Sequence, residues 1–179
     1  MQLDNKIVDF PKRDYEPIKL GKIDTTKIAM FNGYGGFINN GKEYVITNQE
    51  TPTAWSNVIA NKNFGTIVTN NECGFTYSYN SQMFKLTSWT NDVIVNDKSE
   101  GITINGKETQ PVICKHGFGY SVFIHDGNDY TLETTQFVAK EDKVKFYKNK
   151  LQNTSKNTKK YKISFWINPT LGANEEKTS

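Results

Sequence analysis

The sequence predicts an all-β protein built as an antiparallel β-sandwich, and three observations support this fold class. Aromatic residues make up 13% of the 179 residues, including 11 Phe and 9 Tyr, and such side chains favour the pleated surface of a strand. Asparagine, glycine and aspartate punctuate short apolar stretches along the chain, which is typical of hairpins. No segment repeats apolar residues at helical spacing over three turns.

Four hairpins are predicted from these turn residues. In chain order, their turns are residues 39–42 (NNGK), 105–106 (NG), 126–128 (DGN) and 153–160 (NTSKNTKK). Asparagine and glycine tolerate the positive φ angles that tight hairpin turns require. On either side of the last turn apolar residues alternate, at Val144 and Phe146 and then at Ile163, Phe165 and Ile167, as strand faces should.

The remaining segments set the predicted domain boundaries. Residues 51–65 (TPTAWSNVIANKNFG) are short and rich in asparagine, and Pro52 suits a first helical turn, so we expect a connecting loop with about one turn of helix. We expect a lead-in segment over residues 1–27, one sandwich domain over 28–172 and a polar tail over 173–179. This length is enough for a single buried core.

Charge and composition exclude several classes of function. The net charge is +3 and Arg13 is the one arginine, so the chain lacks the planar forks suited to phosphates and base edges, and we expect no nucleic-acid partner. The basic run 156–162 is predicted to be a solvated hairpin end. No apolar run approaches a membrane span and the N-terminus carries charges from its start, so we expect a soluble, cytoplasmic protein.

Cysteines and histidines are too few to predict a metal centre. Cys73 and Cys114 lack CxxC partners and are expected to be free thiols. His116 and His125 are an odd number of residues apart, so on one uninterrupted strand they would point to opposite faces. We therefore expect no metal and no cofactor. We expect His116 to be a hydrogen-bonded structural residue, with a ligand contact as the alternative.

The glycine-rich segment FNGYGGF and the carboxylates Asp92 and Asp97 were the other candidates for chemistry. The glycines run into a hairpin rather than into a helix, so we expect close packing against bare backbone rather than a phosphate loop. Two carboxylates near one another can cleave a glycosidic bond. Loop-forming roles are nevertheless expected for both aspartates, and no catalytic residue is predicted.

The segment KLTSWTND, residues 85–92, is the predicted carbohydrate contact. Trp89 offers a planar face on which a sugar ring can stack, and Asn91 and Asp92 offer acceptors for its hydroxyl groups. The alternative is a loop whose tryptophan packs inward.

Five segments taken in order resemble the start of glycoside hydrolase family 94. They are FNGYGGFINNGKEYVI, TPTAWSNVIANKNFGTIV, GFTYSYNSQMFKLTSWTND, KHGFGYSVF and TTQFVAKEDKVKFYKNKLQNTS, within roughly Phe31 to Gly172. The family includes cellobiose, chitobiose and β-1,2-oligoglucan phosphorylases and the C-terminal module of cyclic β-1,2-glucan synthases. The resemblance implies part of a super-β-sandwich of galactose-mutarotase-like fold.

In the family, a barrel of paired helices follows the sandwich and carries the general-acid aspartate of an inverting phosphorolysis, in which inorganic phosphate attacks the anomeric carbon. The resemblance therefore implies that this chain alone is inactive. It is expected to be a non-catalytic module that shapes substrate access or assembly for the barrel, in cis or in trans. The alternatives are a stand-alone module that binds β-glucan oligosaccharides and a docking or homodimerising sandwich.

The same resemblance suggests which residues approach a substrate. Trp89, Asn91 and Asp92 match the family pattern, whereas Gln82 stands where relatives usually have arginine. Ser88 and Val93 replace prolines of that pattern. Because glutamine lacks the bidentate grip of arginine, any contact at Gln82 is expected to be weaker.

Overall fold

A computed structural model describes residues 23–89, 98–108 and 110–173 of the chain. Within them the chain forms two antiparallel sheets and a separate two-stranded ribbon, with two short 3-10 helices at Thr25–Lys27 and Asn39–Gly41. The predicted all-β antiparallel sandwich is confirmed. No helix in these ranges is long and apolar enough to cross a membrane.

The first sheet has six strands in the order β1-β2-β8-β9-β10-β11. Its strands are β1 Gly35–Ile38, β2 Glu43–Ile46, β8 Ile113–Gly117, β9 Tyr120–Asp126, β10 Tyr130–Val138 and β11 Lys145–Asn153. The predicted hairpins at β1–β2 and β9–β10 both form. In the first, Asn39, Asn40 and Gly41 have φ angles of 52°, 57° and 80°, the left-handed conformations that this turn needs.

The second sheet has five strands in the order β13-β6-β5-β4-β3. Its strands are β3 Ser56–Ala60, β4 Phe64–Thr69, β5 Gly74–Ser78, β6 Lys85–Thr87 and β13 Pro169–Gly172. The expectation of a loop over residues 51–65 is wrong, because β3 lies inside it. Asn61 accepts hydrogen bonds from the backbone N–H groups of Asn63 and Phe64 at 2.8 and 2.9 Å and so closes a turn between β3 and β4.

The ribbon pairs β7 Glu100–Ile104 with β12 Ile163–Ile167. Because of this pairing, the hairpins predicted around residues 105–106 and 153–160 are wrong. At Asn105 and Gly106 the φ angles are 53° and 76°, so the predicted turn exists, but it closes one isolated bridge, between Ile104 and Lys107. Strand β8 then pairs with β2 and β9. Strand β11 pairs with β10 rather than with β12. The 153–160 segment therefore connects a sheet to the ribbon. Its lysines are exposed, as predicted.

The main core lies between the two sheets. Its buried side chains are Ile46, Ile59, Val68, Cys114 and Phe123, drawn from both sheets. Asn57 on β3 also bridges the sheets, because its side-chain amide donates to the carbonyl oxygens of Gly117 and Tyr120, at 3.0 Å each. A second cluster on the outer face of the six-stranded sheet includes Ile28 and Val45. Both cysteines are buried and free.

Candidate functional site

A cleft of about 560 Å³ opens where the ribbon meets both sheets. Strands β5, β6, β7, β11, β12 and β13 all contribute side chains to it. We call it the ribbon cleft, and its lining residues are Thr76, Leu86, Thr87, Glu100, Ile102, Lys145, Tyr147, Asn149, Ile163, Phe165, Ile167, Pro169 and Leu171.

The wall of the ribbon cleft is apolar and exposed. Ile163, Phe165 and Ile167 alternate along β12, so they share one face of the ribbon, and their exposed fractions are 47%, 53% and 52%. Leu171 on β13 is 70% exposed. The Phe165 ring lies 4.9 Å from that of Tyr147, centroid to centroid. Large exposed apolar patches are more typical of interaction sites than of the remaining surface of a monomeric protein.

The floor of the ribbon cleft is a buried ion pair between Lys145 and Glu100, whose side chains are 6% and 7% exposed. Thr76 donates its hydroxyl to the two carboxylate oxygens of Glu100, at 2.9 and 3.1 Å. Lys145 also donates to the hydroxyl of Thr66, at 2.9 Å. The pair therefore ties β11 of the first sheet to β4 and β5 of the second and to β7 of the ribbon.

The charged groups at the floor of the ribbon cleft are arranged for a structural role rather than a catalytic one. Burial lowers the pKa of Lys145, and the neighbouring Glu100 carboxylate opposes that change. Burial, with the charges of Glu100 and Glu72, raises the pKa of Tyr147 well above its ordinary value. The ammonium and carboxylate groups are already bonded to protein partners, so they hold strands together rather than offering a free acid or base.

Two of the four predicted carbohydrate-binding residues, Gln82 and Trp89, lie within the described part of the chain. Trp89 is half-buried and stacks on the buried ring of Phe75, with centroids 5.2 Å apart and an interplanar angle of 29°. Because Phe75 and Thr76 point to opposite faces of β5, Trp89 packs on the sheet face away from the ribbon cleft. Gln82 is exposed, and its backbone N–H donates to Asn80 Oδ1 at 2.9 Å.

Strand β6 separates Gln82 from Trp89, so these two residues lie at opposite ends of a strand rather than side by side. Asn91 and Asp92 lie outside the described residues, as does Asp97. The sugar contact at this segment therefore stays a prediction.

Sequence reasoning missed a second, smaller pocket of about 260 Å³. We call it the Trp55 pocket, and its lining residues are Asn32, Tyr44, Ile46, Trp55, Ser56 and His116. The signal for it was present in the aromatic residues of FNGYGGF, EYVIT and TPTAW, but these segments are separated along the chain. Pairing of β2 with β8 and packing of β3 against β8 bring these segments together.

His116 has the hydrogen-bonded structural role that the sequence predicts. Its Nδ1 lies 2.9 Å from Ser121 Oγ and its Nε2 lies 3.2 Å from the carbonyl oxygen of Trp55. A carbonyl only accepts, so Nε2 carries the proton and Nδ1 accepts from the serine. Burial lowers the pKa of His116, which keeps the ring neutral. His125 instead lies 3.2 Å from Glu72.

No group of three or more His, Cys, Asp or Glu side chains in the described ranges is placed to hold a metal ion. The sequence profile of the glycosyl hydrolase 94 supersandwich domain matches residues 42–179. The chain belongs to the glycosyl hydrolase 94 supersandwich family. The family resemblance is thereby confirmed.

Relatives in this family include a glucan synthase and two phosphorylases. The chain is 28% identical over 176 residues to the cyclic beta-(1,2)-glucan synthase NdvB of Rhizobium meliloti (strain 1021), an alignment that covers 88% of this chain and 6% of the synthase. It is 27% identical to the N,N'-diacetylchitobiose phosphorylase of Vibrio furnissii and 24% identical to that of Vibrio proteolyticus, each over 68% of this chain and 17% of the enzyme.

Each alignment covers a small part of the relative. The chain spans only 6% to 17% of the length of the relatives it matches. The supersandwich domain is common to a glucan synthase and to phosphorylases.

Proposed function

We propose that this chain is a non-catalytic sandwich module of a β-glucan-active glycosyl hydrolase 94 protein. In this proposal it supplies a fixed surface against which a helical-barrel catalytic domain assembles, in cis or in trans. The observation that carries the proposal is the ribbon cleft, whose apolar wall is half exposed in this chain. The family assignment supports the type of partner.

The energetics of the cleft support docking. A two-stranded ribbon is marginally stable without further packing, and β12 presents Ile163, Phe165 and Ile167 on one exposed face. Complete burial of such a side chain contributes about 1.5–3 kcal/mol, so covering the remaining half of each contributes roughly 1 kcal/mol. Together with Leu171, a docked partner would gain about 4 kcal/mol from apolar burial.

The experiment compares an aspartate substitution at Phe165, inside the ribbon cleft, with the same substitution at Phe118, outside it. The chain, Phe165→Asp and Phe118→Asp are each mixed with a separately produced helical-barrel domain of the family from the same genome. Phe118 lies in the β8–β9 turn, outside the ribbon cleft, and is 84% exposed. We expect Phe165→Asp to weaken association at least tenfold, because a carboxylate would have to be buried, and Phe118→Asp to leave it unchanged. Light scattering measures the complexes.

The second readout is sugar 1-phosphate formed from β-glucan oligosaccharides and inorganic phosphate. We expect none from the chain alone, and its release by the purified chain would refute the non-catalytic role. Equal association by both variants would refute docking at the ribbon cleft. A homodimer of the chain that Phe165→Asp dissociates would instead support the self-docking alternative, since the same apolar face would then be covered by a second copy.

A further inference from the structure

The aromatic rings of Trp55 and Tyr44 line the Trp55 pocket, and the ring of Tyr34 contacts that of Trp55. The Trp55 ring lies 5.9 Å from that of Tyr34 and 5.8 Å from that of Tyr44, with interplanar angles of 73° and 74°. Rings at such angles act as walls rather than as one flat stack. A cyclic ligand can lie against one ring while its rim meets the next.

Hydrogen bonds fix the backbone of Trp55 on both sides, and its indole packs against the rings of Tyr34 and Tyr44, so the platform is preorganised. Asn70, which is fully buried, accepts from the Trp55 N–H through Oδ1 at 3.0 Å and donates its own N–H to the Trp55 carbonyl at 2.8 Å. His116 donates to the same carbonyl. A ligand that binds here does not have to order the platform first, which favours affinity.

The polar groups of the Trp55 pocket are neutral hydrogen-bonding groups. Asn32 Oδ1 accepts from the backbone N–H groups of Tyr34 and Gly35, at 3.1 Å each, and this fixes the amide so that Nδ2 donates to the Tyr44 hydroxyl at 3.2 Å. The tyrosine hydroxyl accepts that bond and keeps its own proton to donate. Ser56 adds an exposed hydroxyl.

Among the residues that the structure describes, no lysine, arginine, aspartate or glutamate lines the Trp55 pocket, and His116 is neutral. A charged ligand such as a sugar phosphate would therefore find no counter-charge among the lining residues. The pocket volume of about 260 Å³ lies just below the range typical of drug-sized ligands and suits a single ring. Aromatic walls with neutral donors and acceptors match a pyranose, which has an apolar ring face and a rim of hydroxyl groups.

We propose that the Trp55 pocket binds one glucose residue of a β-linked gluco-oligosaccharide, with Trp55 and Tyr44 against the ring and with Asn32, Tyr44 and Ser56 bonding its hydroxyl groups. The site rests on the geometry above, whereas the choice of a β-linked glucan rests on the proposed function. This places a sugar contact on the sandwich itself, away from the ribbon cleft and away from Trp89.

The test is a nuclear magnetic resonance titration of the ¹⁵N-labelled full chain. The chain has three tryptophans, so three indole N–H signals are followed and assigned by single Trp→Phe variants. The probes are sophorose, cellobiose, maltose and inorganic phosphate. We expect the Trp55 signal to shift with the two β-linked disaccharides at a Kd of roughly 1–10 mM, and phosphate to leave it unchanged.

Two conservative variants test the polar contacts without removing the platform. Tyr44→Phe keeps the ring and Ser56→Ala removes an exposed hydroxyl, and each should raise the Kd about fivefold, the effect of one lost hydrogen bond. Thermal melting confirms that both remain folded. Tyr79→Phe is the matched control, because Tyr79 is 64% exposed and lies outside the Trp55 pocket, and it should leave the Kd unchanged.

Each outcome separates the two proposals. The site would be overturned if the Trp55 signal did not shift with any sugar at a concentration of roughly ten times the expected Kd, or if the Trp89 signal shifted instead. Either result would leave the docking proposal intact. A shift with maltose but with neither β-linked disaccharide would contradict the β-glucan part of the proposed function. Unchanged affinity in both Tyr44→Phe and Ser56→Ala would refute the assigned contacts.

Discussion

Breaking the buried ion pair at the floor of the ribbon cleft should destabilise the fold strongly. Glu100→Gln removes the carboxylate charge but keeps the side-chain shape and its capacity to bond Thr76. Lys145 then remains as a buried cation beside two neutral groups, the hydroxyl of Thr66 and the ring of Tyr147. The perturbation is therefore an uncompensated charge rather than a cavity.

The magnitude follows from the burial of both side chains, which are 6% and 7% exposed. Removal of one partner of a pair this buried costs about 3–5 kcal/mol. For a protein of this size, 1 kcal/mol lowers the Tm by roughly 2–4 °C, so Glu100→Gln should lower it by about 6–20 °C. The double variant Glu100→Gln, Lys145→Met leaves no buried charge at the pair and should lie within about 1 kcal/mol of the parent.

The assay is urea unfolding of the parent, both single variants and the double variant, which gives a coupling energy. We expect that coupling to exceed about 2 kcal/mol. The control is Lys159→Met, because Lys159 and Asp129 also form an ion pair, at 3.3 Å, but their side chains are 44% and 33% exposed. That variant should change the free energy of unfolding by less than about 1 kcal/mol.

The pH dependence gives a second check, with a definite sign. Burial lowers the pKa of Lys145 below its ordinary value of 10.5, and loss of the Glu100 carboxylate should lower it further. The folded variant then binds fewer protons than the unfolded chain, so its stability should rise as the pH is raised toward 10.5, and more steeply than that of the parent. Additive single-variant effects, or a Glu100→Gln stability that is flat over this range, would refute the account of the pair.

Three further predictions concern other parts of the sandwich. Gly74→Ala should destabilise by at least about 2 kcal/mol in urea unfolding, because its Cβ would lie 1.9 Å from the carbonyl oxygen of Ile67; an unchanged midpoint would contradict this. Asn57→Ala should lose about 1–3 kcal/mol by the same assay, because it leaves two turn carbonyls without their donor. Burial lowers the pKa of His116 below 6.5, so its contribution to stability should fall as the pH drops below 6.5, by up to about 1.4 kcal/mol per pH unit. His116→Gln should flatten that slope, and an identical slope in the variant would assign it to other groups.

Turn chemistry explains which hairpins the sequence could predict. At residues 39–41 and at Asn105 and Gly106, the expected left-handed conformations are present. The second turn nevertheless forms no hairpin, because β7 pairs with β12, about sixty residues further along the chain. A turn depends on the backbone angles of two to four consecutive residues, whereas pairing depends on which distant strand buries the apolar face.

The candidate sites also combine features that the sequence indicates with features that only the fold creates. Five sequence segments in order along the chain were enough to indicate the family, and the alternation at Ile163, Phe165 and Ile167 was enough to indicate a strand with one apolar face. Only the tertiary structure showed that this face lines a cleft open to solvent and that Trp89 stacks on Phe75.

By itself, the sequence determined an all-β sandwich of the glycosyl hydrolase 94 family, because turn residues, strand alternation and family motifs are local properties of the chain. The tertiary structure decided which side chains share a cleft or a pocket. Asn32, Trp55 and His116 are far apart in sequence and carry no shared motif, yet they line one pocket. Their proximity is created by strand pairing and by packing of the two sheets, and these depend on the whole core rather than on any one segment.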